Sequence, residues 1–226
     1  MPLRYSEFGV FDVPVQVLVN TINCKGVMGA GLALEFRLRY PSMFRDYKSR
    51  VEMGLKPGRP YLYNKSDPWT LNFPTKYHWA NPSRLQWVED GLRWFAENYR
   101  IMGINSIAFP QLGCGQGRLQ WTDVQPVMEH YLRPLPIEVY ICLDLRLDPN
   151  GEEAGMLRSL HSADIDCLQR IGLNNATANR VLQGMPFERF RQVREVEGVG
   201  LKSYEKLHRY FYNEVKRMRQ MAFPWF

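Results

Sequence analysis

The sequence predicts an α/β fold followed by a small all-helical domain, and three observations support this prediction. Short Val- and Ile-rich runs alternate with segments of helical periodicity up to about residue 145. Beyond a polar stretch at 146–155, no segment has the pattern of a strand. The net charge is zero over residues 1–166 and +6 over 167–226. We therefore expect domains at 1–148 and 161–226, joined by a linker at 149–160.

The strands of the first domain are predicted from short apolar runs. The Val-rich run VQVLV is typical of a buried strand, and IEVYIC closes the domain as another. Both runs are followed by residues that end a strand or begin a loop. The predicted strands are Val15–Val19, Pro60–Tyr63, Trp69–Phe73, Ser106–Phe109 and Ile137–Cys142.

The segments between these strands carry apolar residues at helical spacing. The longest has Leu85, Val88 and Leu92 on one face, and Gly103 turns the chain after it. Predicted helices in the first domain are 32–40, 42–53, 85–101 and 122–132. Those in the second domain are Ala163–Arg170, Ala176–Gln183, Phe187–Glu195 and Ser203–Met221.

Length and composition place the chain among ordinary globular proteins. Its 226 residues are 45% hydrophobic and 23% charged, which excludes a disordered chain. No apolar run approaches the roughly 20 residues needed to span a bilayer, and residues 1–12 lack the apolar stretch of a secretory signal. The four cysteines lie far apart without a CxxC pair. We therefore expect reduced thiols, a cytoplasmic location, no metal site and no membrane contact.

Two Gly-rich loops come directly after predicted strands. NTINCKGVMGAG occupies residues 20–31, and PQLGCGQG occupies residues 110–117. Ligands of open α/β sheets bind at the carboxyl ends of strands, where backbone N–H groups can hold phosphate oxygens. The pair of loops predicts a ligand with two phosphates, with ordinary tight turns as the alternative. Because no GKS, GKT or GxGxxG pattern is present, neither an NTPase nor a Rossmann dehydrogenase is favoured.

A third motif, NFPTKYHW at residues 72–79, carries polar groups among aromatic ones. Lys76 could protonate or hydrogen-bond a leaving group, or act as an amine nucleophile if burial lowers its pKa. His78 is a weaker candidate for proton transfer. A solvated surface lysine and a packing histidine are the alternatives. The nearby aromatic residues either stack on a base or pack in the core or its rim: Trp69, Tyr77 and Trp79.

The segments NTINCKGVMGAGLALEF, NFPTKYHW and PQLGCGQGRLQW resemble the motifs of a macrodomain. More narrowly, they are similar to the DarG type, a DNA ADP-ribosyl glycohydrolase that acts as the antitoxin of the DarT toxin. The resemblance covers about residues 10–145. It implies three layers with a mixed sheet between helices, ADP-ribose bound across the two loops, no cofactor, and a DarT-like toxin as a candidate partner.

The resemblance also implies roles for individual residues. Asn23 matches the Asn that contacts ribose, and Lys76 matches the lysine implicated in DarG activity. The expected catalytic set is Lys76, Asn23 and His78, whereas Cys114 has no base beside it in the sequence and is expected to be a packing residue. The expected ADP-ribose ligands are Asn20, Thr21, Gly26, Val27, Met28, Gly29, Gly31 and Thr75, together with Gly113, Cys114, Gly115, Gln116 and Gly117.

Two positions depart from patterns found in macrodomains. Gly9 stands where many macrodomains carry an Asp that recognises adenine, and Asp12 is the nearest carboxylate. Gly117 stands where the related terminal-ADP-ribose glycohydrolases place a catalytic Asp. The second departure leaves Lys76 without that partner, as in DarG-type sequences.

The second domain contains VREVEGVGLKSYEKL, residues 193–207, which looks like a helix-hairpin-helix DNA-binding motif. Gly198 and Gly200 permit a tight turn, and Val199 is expected to plug the hydrophobic interior. Free N–H groups of the next helix and the charge of Lys202 can bind a DNA phosphate. A helical hairpin used for protein contact is the alternative.

A degenerate copy of this motif is predicted at residues 168–182. There Gly172 and Asn174 replace the two glycines, because Asn tolerates left-handed backbone best after Gly. Both copies lie in the segment that holds the excess positive charge, so we expect them to bind the DNA backbone. The apolar segment MAFPWF at 221–226 is expected to dock on the body of the protein or on a partner.

These observations predict an enzyme that removes ADP-ribose from a nucleobase of DNA, with the second domain raising the local substrate concentration through phosphate contacts. Three alternatives remain. The first is a non-catalytic reader of ADP-ribosylated nucleic acid or protein. The second is a deacylase or glycohydrolase that acts on ADP-ribosylated protein or free metabolites. The third is an antitoxin that works mainly by contacting its toxin.

Overall fold

A computed structural model describes residues 3–148 and 150–222, and the chain divides into two compact units between Leu145 and Arg146. The last four residues of the MAFPWF segment lie outside the described residues, so its expected docking is not addressed. Within the described ranges, every helix is too short or too polar to cross a membrane.

The first unit is built on a six-stranded mixed sheet with the order β1-β6-β5-β2-β4-β3. Only the edge strand β3 is antiparallel to its neighbour, β4, and the other neighbouring pairs are parallel. The strands are β1 (Arg4–Ser6), β2 (Val17–Asn23), β3 (Tyr61–Tyr63), β4 (Trp69–Lys76), β5 (Ser106–Pro110) and β6 (Glu138–Cys142).

Helices cover both faces of this sheet, as the α/β prediction requires. One face packs against α3 (Leu85–Asn98) and α4 (Trp121–Leu132), and the other packs against α1 (Gly31–Arg39) and α2 (Pro41–Glu52). Successive side chains of β2 serve the two cores in turn, because side chains alternate across a strand. A strand buried on both faces needs apolar residues at every position, which explains the run VLV at its start.

The central strands β2 and β4 extend further than the apolar runs predicted. They pair in parallel from Val17 with Trp69 to Asn23 with Lys76, with a bulge between Ile22 and Asn23. The predicted strands end at Val19 and Phe73, before Asn23 and Lys76. Because inter-strand hydrogen bonds do not depend on side-chain polarity, the ladder continues to the carboxyl ends. The two polar motifs therefore end at the same edge of the sheet.

The second unit is helical. It contains α5 (Gly151–His161), α6 (Ile165–Arg170), α7 (Asn175–Gln183), a 3-10 helix (Phe190–Glu195) and α8 (Leu201–Ala222). The segment expected as a linker at 149–160 is mostly helix α5, whose Met156, Leu157 and Leu160 are buried. The segment expected as an α-helix at Phe187–Glu195 is the shorter 3-10 helix.

A buried ion pair attaches α5 to the 3-10 segment. Arg189 donates from Nε and Nη2 to one carboxylate oxygen of Glu153, at 3.0 and 2.9 Å. The other oxygen of Glu153 accepts the backbone N–H of Phe190 at 2.7 Å. The ion pair joins residues that are far apart in the sequence. Local composition therefore could not indicate that residues 151–161 belong to the folded unit.

We expect Glu153→Ala to destabilise the second unit by about 3–5 kcal/mol, because it leaves the Arg189 guanidinium buried without its carboxylate. Urea unfolding followed by circular dichroism measures the loss. The control is Glu188→Ala, which removes an exposed carboxylate from the same unit. Equal, small effects of the two substitutions would contradict this account.

Candidate functional site

The register of the central strands brings the two principal polar residues together. Asn23 ends β2 and Lys76 ends β4, and the two residues are partners in the parallel ladder. Neighbouring strands lie about 4.8 Å apart, so both side chains project at one point on the carboxyl edge of the sheet. The bulge before Asn23 changes the alternation of β2 at this point.

Lys76 is buried and connects β4 to the second Gly-rich loop. Its side chain is 9% exposed. Nζ donates hydrogen bonds to the backbone carbonyl of Gln116 and, at 3.3 Å, to that of Trp79. Burial lowers the pKa of Lys76, and the positive charge of Arg118 lowers the pKa further. At a given pH, the fraction of neutral amine is therefore larger for Lys76 than for a solvent-exposed lysine.

Asn23 is oriented by Tyr47, a residue of α2 that the sequence patterns did not single out. Oδ1 of Asn23 lies 3.0 Å from the Tyr47 hydroxyl and accepts the N–H of Lys25 at 2.9 Å. Nδ2 donates to the carbonyl of Val27 at 2.5 Å. These bonds occupy the oxygen and one amide hydrogen. Among the residues that the structure describes, the second hydrogen of Nδ2 has no acceptor, so it is available to a further hydrogen-bond partner.

Tyr47 also holds the first Gly-rich loop. Its hydroxyl accepts the N–H of Gly26 at 3.0 Å and lies 2.8 Å from the carbonyl of Asn23. Gly26 has φ of +77°, a conformation that favours glycine. One buried phenol thus fixes both the amide at the end of β2 and the turn that follows it.

The two Gly-rich loops lie next to each other. A β-carbon on Gly31, where α1 begins, would lie 3.7 Å from Cγ of Gln116 in the second loop. Ala30, the N-cap of α1, makes no side-chain capping bond. In the second loop, the N–H groups of Gly115, Gln116 and Gly117 have no acceptor in the part of the chain that the structure describes. Unpaired backbone donors at a helix start and in an adjacent turn can hold a diphosphate.

Tight packing explains the glycine at position 117. A β-carbon there would clash with the carbonyl oxygen of Gly113 and the hydroxyl of Ser83. The backbone N–H of Ser83 also donates to the carbonyl of Gly117 at 2.8 Å. The loop therefore has no room for a side chain at 117, and the carboxylate expected there in related enzymes has no counterpart at this position.

Two carboxylates surround Gly9, the position that matches the adenine-recognising Asp of many macrodomains. A β-carbon on Gly9 would lie 3.2 Å from Oδ1 of Asp144 and 3.5 Å from Oδ2 of Asp12. Asp12 was the nearest carboxylate in the sequence, whereas Asp144 follows β6 and was missed. Asp144 has φ of +52°, which is uncommon for a residue with a side chain.

Several predicted ligand residues have other roles. The Asn20 side chain is fully buried and donates to Oδ1 of Asn72 at 2.9 Å, so it joins the two central strands inside the sheet. Thr75 is buried in β4, and the side chain of Met28 is buried in the core between the sheet and the helices α1 and α2. Only the backbone of Met28 is therefore suited to ligand contact. Thr21 is partly exposed near the end of β2.

The remaining side chains of the two motifs differ in their accessibility. His78 is partly exposed, and its Nδ1 accepts the N–H of Ala80 at 3.2 Å, which favours a turn-forming role. Burial raises the pKa of Cys114 to about 11, with a further rise caused by Asp123, so the thiol is a poor nucleophile. Trp69 begins β4 and packs against the core, at the opposite end of the strand from Lys76.

A second candidate surface lies in the helical unit, where the two predicted DNA-binding turns are exposed. Gly172 and Gly198 have φ of +101° and +85°, and Leu173 and Val199 after them are buried as expected. Asn174 does not adopt the expected left-handed backbone. Its φ is −74°, and its side chain caps α7 by accepting the N–H of Thr177 at 2.8 Å.

The two turns lie close to each other's cations. A β-carbon on Gly172 would lie 2.7 Å from Nζ of Lys206, and one on Gly198 would lie 3.1 Å from Nη1 of Arg180. Each cation lies eight residues after the glycine of its own copy and touches the glycine of the other copy. The cation of each copy therefore lies beside the turn of the other copy. Lys202 is exposed near the second turn.

Comparison with known proteins places these features in a family context. The Macro domain family model matches residues 19–128. The DNA ADP-ribosyl glycohydrolase of Thermus aquaticus is 37% identical over 145 residues, which are 62% of this chain and 40% of that protein. The "DNA ADP-ribosyl transferase-DNA ADP-ribosyl glycohydrolase fusion protein" of Thermosipho africanus is 38% identical over 64% of this chain and 43% of its own length. The chain thus spans about two fifths of the length of these curated relatives.

Solved structures give the same result for the first unit. The macrodomain of Thermus aquaticus DarG is 37% identical with a TM-score of 0.59, and the match covers 62% of this chain and 97% of that one. Thermosipho africanus DarTG in complex with ADP-ribose is 39% identical with a TM-score of 0.60, over 63% of this chain and 41% of that one.

We expect Arg118→Ala to raise the pKa of Lys76, because it removes the nearby positive charge that disfavours the ammonium form. The fraction of neutral amine at a given pH then falls. Acetic anhydride modifies neutral amines, so its reaction with Lys76 across a pH series, read by mass spectrometry, gives the midpoint. Arg100→Ala, a substitution just beyond the end of α3, is the control. If the midpoint pH for acetylation of Lys76 is unchanged in Arg118→Ala, Arg118 does not lower the pKa of Lys76.

Proposed function

Because the first unit of this chain belongs to the Macro domain family and is similar to DarG macrodomains, we propose that the protein is a hydrolase that removes ADP-ribose from nucleobases of DNA. The observation that carries the proposal is the meeting of Asn23, Lys76 and two backbone-amide loops at one edge of the sheet. Relatives that share this unit are named as DNA ADP-ribosyl glycohydrolases. The chemistry of the residues agrees with cleavage of a bond to the anomeric carbon of ribose.

The proposed roles follow from the site's hydrogen bonds. The two loops bind the diphosphate, which supplies binding energy and orients the sugar. Nδ2 of Asn23 donates its second hydrogen to a ribose hydroxyl. A neutral Lys76 amine donates its two hydrogens to the carbonyls of Trp79 and Gln116, and its lone pair then remains for the anomeric carbon.

The reaction takes place in two steps. In the first step, Nζ of Lys76 bonds to the anomeric carbon while the bond from that carbon to the nucleobase breaks, and a proton from Nζ leaves with the base. In the second step, water replaces the amine, which releases ADP-ribose and restores Lys76. Both steps pass through an oxocarbenium-like state, as glycoside hydrolysis does. In the alternative role, the ammonium form of Lys76 donates a proton to the leaving base.

The second unit is proposed to hold the DNA backbone. The exposed turns at Gly172 and Gly198 carry cations from each other's copy, and residues 167–226 have a net charge of +6. Backbone phosphates are contacted without sequence readout by such donors and cations. Attachment of this unit to the first raises the local concentration of a DNA substrate.

The cellular role that we propose is the reversal of DNA ADP-ribosylation by a DarT-like toxin. One relative joins a DNA ADP-ribosyl transferase and a DNA ADP-ribosyl glycohydrolase in a single protein. Such a fusion pairs the modifying and the demodifying activity. A toxin that modifies DNA supplies the substrate that the present site would consume.

Release of ADP-ribose from ADP-ribosylated single-stranded DNA tests the proposed function. We expect the full chain to release ADP-ribose and Lys76→Ala to lose at least a hundredfold in kcat/KM, since removal of a catalytic group typically costs this much or more. Lys65→Ala, which removes an exposed lysine in the loop before β4, is the matched control. Chromatography of the products gives the rate.

Other outcomes would identify a different protein. Tight binding of modified DNA without release of ADP-ribose would identify a reader. Turnover of ADP-ribosylated protein without turnover of ADP-ribosylated DNA would identify a protein-directed glycohydrolase. Equal loss of activity in Lys76→Ala and Lys65→Ala would contradict the role given to Lys76.

The salt dependence of DNA binding tests the role of the second unit. Each lost phosphate contact reduces the slope of log K against log salt by about 0.7–0.9. We expect the double variant Lys202→Ala/Lys206→Ala to reduce the slope by roughly twice that amount. Lys216→Ala/Arg217→Ala, nearer the far end of α8, is the control that also removes two exposed positive charges. An unchanged slope in the double variant would show that these turns do not bind DNA phosphates.

A further inference from the structure

Two large aromatic side chains are exposed immediately beside Lys76. Tyr77 is 51% exposed and Trp79 is 54% exposed, although most residues of their type are more buried in folded proteins. The ammonium of Lys25 lies 4.5 Å from the centre of the Tyr77 ring and 3.3 Å from its hydroxyl. We refer to Lys25, Tyr77 and Trp79 as the rim platform.

The backbone of the rim platform is fixed to the candidate active site. The carbonyl of Trp79 accepts a hydrogen bond from Nζ of Lys76 at 3.3 Å. The carbonyl of Tyr77 accepts the N–H of Cys24 at 3.0 Å, which joins the segment after β4 to the segment after β2. The exposed rings are therefore mounted on the two strand ends that carry Lys76 and Asn23.

The position of the rim platform determines which part of a DNA substrate would contact it. In the proposed function, the diphosphate lies on the two loops and the anomeric carbon lies at Lys76. The base attached to that carbon, and the nucleotides before and after it, must then leave the site past Lys76. The exposed surface beside Lys76 includes two aromatic rings and a cation, which are the groups that bind unpaired bases and the phosphates between them.

We propose that the rim platform binds single-stranded DNA next to the modified nucleotide, with Tyr77 and Trp79 stacking on unpaired neighbouring bases and Lys25 contacting a phosphate. The proposal rests on the proposed function of the same site. A base within a duplex presents its faces to its neighbours and not to a protein, so the platform discriminates against paired DNA. The platform is thus a specificity-determining contact outside the Gly-rich loops, which favours substrates with unpaired bases next to the modified one.

The test compares three ligands that share the same ADP-ribosyl group. They are a 15-nucleotide single strand with one ADP-ribosylated base at its centre, the same strand annealed to its complement, and the ADP-ribosylated mononucleotide. The full chain is compared with Tyr77→Ala and Trp79→Ala, and with the conservative variants Tyr77→Phe and Trp79→Phe, which keep a ring. Tyr5→Ala, which removes an exposed tyrosine of β1, is the control.

The readout is the ratio of kcat/KM for the single strand to kcat/KM for the mononucleotide. We expect this ratio to fall about tenfold in each Ala variant, in the range of one lost base stack, and to stay near the wild-type value in the Phe variants. The preference for the single strand over the duplex should fall in the Ala variants as well. A ratio that is unchanged in the Ala variants, or one that falls equally in Tyr5→Ala, would overturn the proposal.

Failure of the proposed function would be visible separately. If the full chain releases no ADP-ribose from any of the three ligands, the proposed hydrolysis is refuted, and the same ligands then serve as stable probes. Their dissociation constants replace kcat/KM in the ratio. A single-strand preference that depends on both rings would still support the platform, and equal affinities for all three ligands would refute it.

Discussion

The parallel pairing of β2 with β4 is the constraint on which the rest of the site depends. It continues past the apolar part of both strands and ends with Asn23 opposite Lys76. The first Gly-rich loop leaves one strand at this point, and the segment with Tyr77 and Trp79 leaves the other. Lys76 then reaches across to the carbonyl of Gln116, which adds the second loop. A slip of one residue in this register would turn the side chains of one strand to the other face of the sheet, so Asn23 and Lys76 would no longer lie together.

The fold of the first unit could be predicted from local patterns to a large extent. Apolar runs located the first part of each longer central strand, because strands buried on both faces are mostly apolar. The short edge strand Arg4–Ser6 was missed, since three half-exposed residues carry no periodic signal. Helix α5 was missed for a different reason. Gly151 and Gly155 and the surrounding acidic residues are typical of a loop, and the contact between Glu153 and Arg189 that stabilises the helix is distant in sequence.

The candidate site shows the same division between local and distant information. Asn23, Lys76 and the two loops are contained in short motifs, and the structure brings them together. Tyr47 lies on the inner face of α2, where a tyrosine is indistinguishable in sequence from a core residue. Asn20 belongs to the same motif as Asn23, yet the alternation of β2 directs it into the interior, where it bonds to Asn72. A motif therefore locates the strand end, and only the register determines which of its polar residues lie at that end and which are buried within the sheet.

The close packing of Gly113, Ser83 and Gly117 limits which groups can donate or accept a proton in this site. Since the loop backbone and Ser83 fill the space around Gly117, the substitution Gly117→Asp would require the turn to change its conformation. Lys76 consequently has no carboxylate beside it at position 117. Under the proposed chemistry, Nζ of Lys76 supplies the proton that leaves with the base, so one amine acts as both the nucleophile and the proton source.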